Sequence, residues 1–171
     1  MGDGGVVMAE GASPLLWRYG HEPMWANRPD GLGRVRQSTG TTCAAASGAM
    51  LLDRYGIEAS EGDVAYAAGT SFFGTDQFEL AQGLGSLASA EGRAAFATYD
   101  ECVALGRPFI AYIRTDFGRH AILVDEIDAQ GVVAVDPQFG GVTNYTRSEF
   151  ERVWSGIAVW VDRPQDGERN K

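Results

Sequence analysis

The sequence contains one lysine, two cysteines and two histidines, and each shortage excludes a class of protein. A Walker-type phosphate loop needs a lysine after its glycines, and the only lysine is Lys171 at the end of the chain, so nucleotide hydrolysis through such a loop is excluded. Cys43 and Cys102 do not make a disulfide framework, although a single bridge between them stays open. With only His21 and His120, the chain also lacks a zinc-ligand spacing.

Positive charge and long apolar runs are scarce too. The formal net charge is -9 and the arginines form no basic stripe, so we expect no binding of nucleic acid. No apolar stretch approaches the roughly 20 residues that cross a bilayer, so we expect no membrane span in this chain. The first residues, MGDGGVVMAEG, lack the charged and apolar regions of a signal peptide. We expect the chain as written to be soluble, and its compartment, cytoplasmic or exported, stays open.

Length and composition favour one folded domain. The chain has 171 residues, of which 44% are hydrophobic and 22% charged, as in an ordinary globular protein with a single core. Residues 1 to 34 are rich in glycine and proline, which predicts an irregular arm held by aromatic contacts. Residues 163 to 171 are polar and predict a disordered tail. The folded domain is therefore expected over residues 35 to 162.

Local patterns predict helices in the first half of this domain and a sheet in the second. The stretch CAAASGAMLLDRY is rich in helix formers, Thr41 or Thr42 is available as a cap, and Gly56 stands where the helix would stop. Capping pairs and helix formers predict further helices at residues 60 to 68, 76 to 90, 99 to 105 and after 146. Branched and aromatic runs predict four strands, PFIAYIR, RHAILVDEID, GVVAVDP and GIAVWVD. The predicted fold class is α+β.

Four residues form a candidate catalytic group. Cys43 opens the first helix, where the positive end of the helix dipole and a nearby imidazolium would favour a thiolate. His120 opens a strand in the sheet half and is the candidate base. Asp136 ends the next strand, and an antiparallel pair joined by the DAQG turn would bring it beside His120. Gln37 and the backbone N–H of Cys43 are candidate donors to the oxyanion that forms when a thiolate attacks a carbonyl.

Each of these residues also has an ordinary structural explanation. A cysteine among alanines is usually a small buried hydrophobic residue, a histidine beside an apolar strand is usually a hydrogen-bonded core residue, and an aspartate before a proline is a common turn former. Cys102, in a predicted amphipathic helix, is interpreted as structural. Asp125, Glu126 and Asp128, beside a turn, are given no role, since strand-end charges are usually solvated. Only the combination and order of the four residues favour catalysis.

That combination resembles a known family, the papain-like peptidases that cut bacterial double-glycine leader peptides, found as the front domain of bacteriocin-exporting transporters and as free-standing relatives. The resemblance spans residues 35 to 162 and is carried by QSTGTTCAAASGAMLLDRYGI, GRPFIAYI and GRHAILVDEIDAQGVVAVDPQFG. It implies a papain-like fold, with the cysteine helix packed on a C-terminal antiparallel sheet. It also implies that Cys43 is the nucleophile, His120 the general base, Asp136 the orienting acid and Gln37 the oxyanion donor.

The resemblance implies a peptide or protein substrate cut after paired small residues, with no metal or cofactor. Coupling to export would require a separate membrane transporter. Family members usually have glycine after the cysteine, where this chain has Ala44, which bears on substrate fit. A preference for small residues needs a narrow cleft, for which Tyr112 and Phe117 are candidate walls. Two alternatives stay open: a non-catalytic peptide-binding module of the same fold, and another thiol enzyme of the superfamily, such as a cell-wall endopeptidase or an acyltransferase.

Overall fold

A computed structural model describes residues 27 to 162, which form five helices and one six-stranded antiparallel sheet. In chain order the elements are α1 (Cys43–Arg54), α2 (Glu61–Ala67), α3 (Gln77–Ala88), β1 (Gly92–Phe96), α4 (Tyr99–Leu105), β2 (Phe109–Thr115), β3 (Gly118–Ile127), β4 (Gly131–Asp136), β5 (Gly141–Thr146), α5 (Arg147–Val153) and β6 (Trp154–Val161). The predicted tail, His21 and most of the predicted arm lie outside the described residues. None of the helices in the described part is long and apolar enough to cross a membrane.

The α+β fold class is confirmed, but two of the strands are absent from the sequence predictions. The sequence of β1, GRAAF, has little strand preference; this segment is extended because it pairs with β6 along its whole length and because α3 packs tightly against it. A Cβ atom on Gly92 would overlap the carbonyl oxygen of Ala81 in α3. The sequence of β5, GVTNYT, follows Gly140, begins with Gly141 and contains Asn144, which is typical of a loop, yet all six residues pair with β4.

The sheet has the strand order β1-β6-β2-β3-β4-β5, so the last strand of the chain lies between the first two. Side chains alternate between its faces, as the pleat requires: in β2, Ile110 and Tyr112 face one side while Phe109 and Ala111 face the other. Helices α1, α2 and α3 cover the first face, and α4 and α5 cover the second. We call the core on the first side the helix-side cluster and the core on the second side the aromatic cluster.

Helix α1 begins and ends where its sequence predicts. Thr42 occupies the position before its first residue, but the Thr42 side chain makes no bond to the helix backbone, so it does not cap the helix as expected. Gly56 follows the end with a φ of 72°, a conformation that favours glycine. The hydroxyl of Ser47 donates to the carbonyl of Ala121 at 3.2 Å. This bond fastens the cysteine helix to the strand that carries the histidine.

Candidate active site

Cys43 and His120 meet where the start of α1 faces β3. Cys43 is half-buried, and only 10% of the His120 side chain is exposed. The Cys43 side chain is a hydrogen-bond partner of the imidazole. The structure therefore brings together the candidate nucleophile and the candidate base, which lie in different halves of the sequence.

Asp136 lies on the other side of the imidazole. Strands β3 and β4 are antiparallel neighbours, so the end of β4 returns to the start of β3. The Oδ1 atom of Asp136 is 2.7 Å from Nε2 of His120 and accepts a further bond of 2.8 Å from the backbone N–H of Gln138. Because Nε2 is engaged by the carboxylate, Nδ1 is the ring nitrogen that remains for the Cys43 thiol.

Burial and hydrogen bonding act in opposite directions on this histidine. Burial is the largest single influence and disfavours the imidazolium, but the hydrogen bonds and charges of Asp136 and Cys43 together outweigh it and raise the pKa of His120 to about 9. Burial likewise raises the pKa of Asp136, yet its bonds with His120 and Gln138 bring that pKa below its ordinary value. The hydrogen bond between the two groups therefore favours the charged pair, an imidazolium and a carboxylate. An imidazolium beside a thiol favours the thiolate.

Gln37 lies between the Asp136 turn and the loop that leads into Cys43. Its backbone N–H donates to the carbonyl of Pro137 at 2.8 Å, and its side-chain Nε2 donates to the carbonyl of Thr39 at 2.7 Å. The amide nitrogen carries a second hydrogen, so one side-chain donor remains. Its Oε1 atom is buried and has no hydrogen-bond partner within residues 27 to 162.

A model of the peptidase C39 family matches residues 33–166 of this chain. The chain belongs to the peptidase C39 family. An uncharacterized protein of Methanothermobacter marburgensis is 31% identical to it over 132 residues, which are 77% of this chain and 89% of that protein. A second uncharacterized protein, from Methanothermobacter thermautotrophicus, is 29% identical over the same length.

Solved structures of similar fold include two C39-type proteases. The peptidase domain of Streptococcus ComA, a bi-functional ABC transporter involved in a quorum sensing pathway, has a TM-score of 0.68 at 22% identity, covering 77% of this chain and 98% of that domain. A double glycine motif protease from an AMS/PCAT transporter, solved in complex with the leader peptide, has a TM-score of 0.65 at 19% identity, covering 80% of this chain and 99% of that one. The predicted family and the papain-like fold are thereby confirmed, and the membership supports a peptidase.

The residues proposed as walls of a cleft occupy different surroundings in this C39 protein. Tyr112 is 4% exposed, and its hydroxyl donates to the carbonyl of Thr75 at 2.9 Å, so its ring belongs to the core beside Cys43. Phe117 is 100% exposed in the turn between β2 and β3, and it therefore forms no wall. Ala44 is 1% exposed, and its methyl group lies in the helix-side cluster.

The two cysteines are not joined to each other. Cys43 and Cys102 are both free thiols, so the bridge left open by the sequence is not formed. Burial raises the pKa of Cys102 to about 11, which keeps that thiol protonated.

The acidic residues at the end of β3 and in the turn after it have ordinary hydrogen-bond partners. Asp125 accepts two bonds from Arg54, and Asp128 accepts backbone bonds within its own turn. Across residues 27 to 162, no three side chains of histidine, cysteine, aspartate or glutamate form a group that could hold a metal ion.

Sequence analysis missed one residue beside the candidate site, Glu61. Its side chain is fully buried and bonds to the loop before Cys43. In the sequence it follows Ser60, the cap of α2, and so resembles an ordinary acidic residue of a first helical turn. Its partner Ser38 is 23 residues away, which no local pattern could indicate.

Proposed function

We propose that this chain is a cysteine peptidase in which Cys43 attacks the carbonyl carbon of a peptide bond. The observation that supports this most directly is the chain of hydrogen bonds from Asp136 through His120 to the half-buried thiol at the start of α1. The pKa of the Asp136 carboxyl is lowered and the pKa of the His120 imidazole is raised, as an orienting acid and a proton-holding base require.

In the proposed reaction, the proton of Cys43 is held on Nδ1 of His120, which makes the imidazolium, and the sulfur forms a bond to the carbonyl carbon. The carbonyl oxygen becomes an oxyanion, which the remaining side-chain donor of Gln37 and the backbone N–H of Cys43 stabilise. The imidazolium then gives its proton to the departing amine, and the carbon–nitrogen bond breaks. Water, activated by the same imidazole, finally releases the acyl group and restores the thiol. Asp136 orients the ring and stabilises its charge throughout.

For the substrate, we propose peptides with paired small residues before the cut, as in leader peptides of the double-glycine type. Support comes from family membership and from the double glycine motif protease whose structure contains a leader peptide. If the chain serves export, its partner would be a separate membrane transporter. A leader held along its length should be cut faster than a short peptide with the same bond, because remote contacts contribute to transition-state binding.

A panel of leader peptides tests this function. The peptides carry Gly-Gly, Gly-Ala, Val-Gly or Leu-Leu at the cut site and are incubated with the native protein and with Cys43→Ala. We expect cleavage after the Gly-Gly and Gly-Ala pairs by the native protein alone. Preference for Leu-Leu, or cleavage that persists in Cys43→Ala, contradicts the proposal.

Selective alkylation separates an enzyme from a non-catalytic peptide-binding module. At mildly acidic pH, iodoacetamide should label Cys43 and leave Cys102 unlabelled, because Cys102 is buried and its pKa is raised to about 11. Peptide mapping by mass spectrometry reads the two sites separately. Equal labelling would remove the main support for a catalytic thiol, whereas a reactive Cys43 without cleavage of any leader would favour another class of thiol enzyme.

A further inference from the structure

Glu61 is a buried carboxylate whose side chain does not cap its own helix. It is 0% exposed and stands at the first position of α2. The N-terminus of α2 is already capped, since Ser60 accepts from the backbone of Asp63 and the Asp63 side chain accepts from the backbone of Ser60. Burying a carboxylate is costly unless several donors bond to it. The donors that bond to Glu61 all belong to a different segment of the chain.

That segment is the loop of residues 38 to 42, which joins Gln37 to Cys43. The backbone N–H of Ser38 donates to Oε1 of Glu61 at 2.8 Å, and the Ser38 hydroxyl donates to Oε2 at 2.6 Å. The Thr42 side chain is a third partner. Ser38 follows Gln37 directly, and Thr42 directly precedes Cys43. One carboxylate therefore holds both ends of the loop between the two candidate oxyanion donors.

The inside of the loop extends this connection to the Gln37 amide. The carbonyl of Thr39 accepts from Nε2 of Gln37 at 2.7 Å and from the Thr42 hydroxyl at 3.1 Å. The same hydroxyl is a side-chain partner of the Glu61 carboxylate. Burial, the largest influence on Glu61, raises its pKa, while the bonds from Ser38 and Thr42 oppose the rise. The direction of the Gln37 amide thus depends on contacts that end at Glu61.

We propose that Glu61 is a positioning residue of the oxyanion site, whose carboxylate fixes the loop of residues 38 to 42 so that the Gln37 amide and the Cys43 backbone N–H point at the same oxyanion. This inference rests on the proposed function, because it gives Gln37 and Cys43 their roles in that reaction. Glu61 itself touches neither the substrate nor the sulfur in this scheme.

Two reagents separate positioning of the oxyanion donors from activation of the thiol. p-Nitrophenyl acetate acylates a thiolate through a tetrahedral oxyanion, whereas iodoacetamide alkylates it by displacement at carbon without one. In Glu61→Gln the carboxamide oxygen can still accept from the Ser38 backbone N–H, but the NH₂ group faces the Ser38 hydroxyl, which must change from donor to acceptor, and the charge that attracts the loop's donors is lost. We expect acylation of Cys43 to slow about ten- to a hundredfold, as small misplacements of catalytic groups do, while alkylation stays within about twofold of native because the contact with His120 is untouched. On a leader peptide that the native protein cuts, kcat should fall and KM should change little.

Two further variants calibrate the measurement. Gln37→Ala is the positive reference, since removal of one oxyanion donor should slow acylation on the order of 10²-fold with alkylation unchanged. Glu149→Gln is the matched control: Glu149 is an exposed acid in the first turn of α5, on the opposite face of the sheet, and glutamine preserves its capping bond. Both rates should stay native in that variant.

Unchanged acylation in Glu61→Gln, or an equal fall of acylation and alkylation, overturns the inference. If Glu61→Gln does not fold, Ser38→Ala replaces it, because it removes one hydroxyl partner of the carboxylate; a selective fall of acylation is expected, and its absence overturns the inference. A native protein that is acylated but cuts no leader peptide contradicts the proposed peptidase and leaves the effect of Glu61 measurable. A native Cys43 that is not acylated contradicts both.

Discussion

The two faces of the sheet are packed with different kinds of side chain. The helix-side cluster consists largely of alanine, leucine and valine, and seven of its buried residues belong to α1. The aromatic cluster contains Tyr99, Phe109, Phe150 and Trp154, whose rings contact one another; the centroids of Phe150 and Trp154 are 5.3 Å apart. Of the candidate catalytic residues, Cys43 packs against the helix-side cluster.

This difference separates two physical tasks. Small side chains let helices approach closely, which sets the position of the start of α1 relative to β3 and hence the contact of Cys43 with His120. Large rings each bury much apolar area and contribute strongly to stability. Small shifts of these rings need not move the catalytic residues. We therefore expect substitutions at the site to lower activity without unfolding, and substitutions among the rings to do the reverse.

The largest expected effect is that of Asp136→Asn on activity. The asparagine NH₂ group can donate to Nε2 of His120, which would place the ring proton on Nδ1, where it blocks acceptance of the Cys43 proton. We expect kcat to fall about 10³- to 10⁴-fold, as for the corresponding change in serine proteases. The alkaline limb of the residual activity should move to lower pH, because the Asp136 carboxylate helps to raise the pKa of His120 to about 9.

Asp128→Asn is the matched control for that change. Asp128 makes the same kind of backbone bonds in the turn between β3 and β4, away from the imidazole. The Asp128→Asn variant should have native activity. Rates of leader cleavage are measured for both variants over a range of pH. An Asp136→Asn variant with native kcat would mean that the carboxylate only stabilises the turn that follows β4.

Phe150→Ala should show the opposite pattern. Phe150 is 0% exposed and contacts the rings of Tyr99, Tyr145 and Trp154, so its loss leaves a cavity that rigid neighbours cannot fill. We expect the free energy of unfolding to fall by about 3–5 kcal/mol, with kcat of the folded fraction near native. Urea denaturation and active-site titration measure the two quantities. Phe96→Ala, at a residue that is 76% exposed, should cost little stability.

The sequence allowed prediction of those parts of the molecule whose signals are local. Helix α1 follows from its helix formers and Gly56, and the caps of α2 and α5 follow from serine or threonine three residues before an acid. The meeting of His120 and Asp136 follows from a short turn between two strands. What could not be predicted depends on distant partners: β1 is a strand because of β6 and α3, and Glu61 matters to the site because of Ser38.

A smaller effect is expected when a methyl group is added within the helix-side cluster. A Cβ atom on Gly48 of α1 would lie 2.7 Å from Cγ1 of Val64 and 3.0 Å from Cδ2 of Leu84. Gly48→Ala should therefore push α1 from its neighbours at a cost of about 1–3 kcal/mol, offset by the gain of about 1 kcal/mol in helix propensity. We expect a small net loss of stability with a several-fold fall in kcat, since α1 carries Cys43.

Gln82→Ala in α3 is the control for Gly48→Ala, because Gln82 is exposed and alanine there adds helix propensity without crowding. Thermal unfolding and leader cleavage are measured for both variants. A Gly48→Ala protein that is more stable than native and fully active would show that close packing of α1 does not set the geometry of the site.

The last expected effect is the contribution of the site's own charges to stability. The pKa of His120 is raised from 6.5 to about 9 in the folded protein, so its stabilising contribution is fully present below about pH 6.5 and is lost as the pH rises through about 9. The pKa of Asp136 is lowered from 3.8, so its contribution is present above that pH and is lost on further acidification. Their joint contribution should therefore be greatest between these limits, at mildly acidic pH.

His120→Gln removes the titrating imidazole together with its effect on the pKa of Asp136, so the difference in stability between the two proteins measures the contribution of the pair. We expect the difference in Tm between native and variant to be constant at mildly acidic pH and to shrink by roughly a few degrees as the pH rises towards 9. Differential scanning calorimetry at matched pH values measures it. A Tm difference that does not change between pH 6.5 and 9 would mean that His120 has the same pKa in the folded and unfolded chain. In that case the folded protein would not hold the imidazole as an imidazolium at neutral pH.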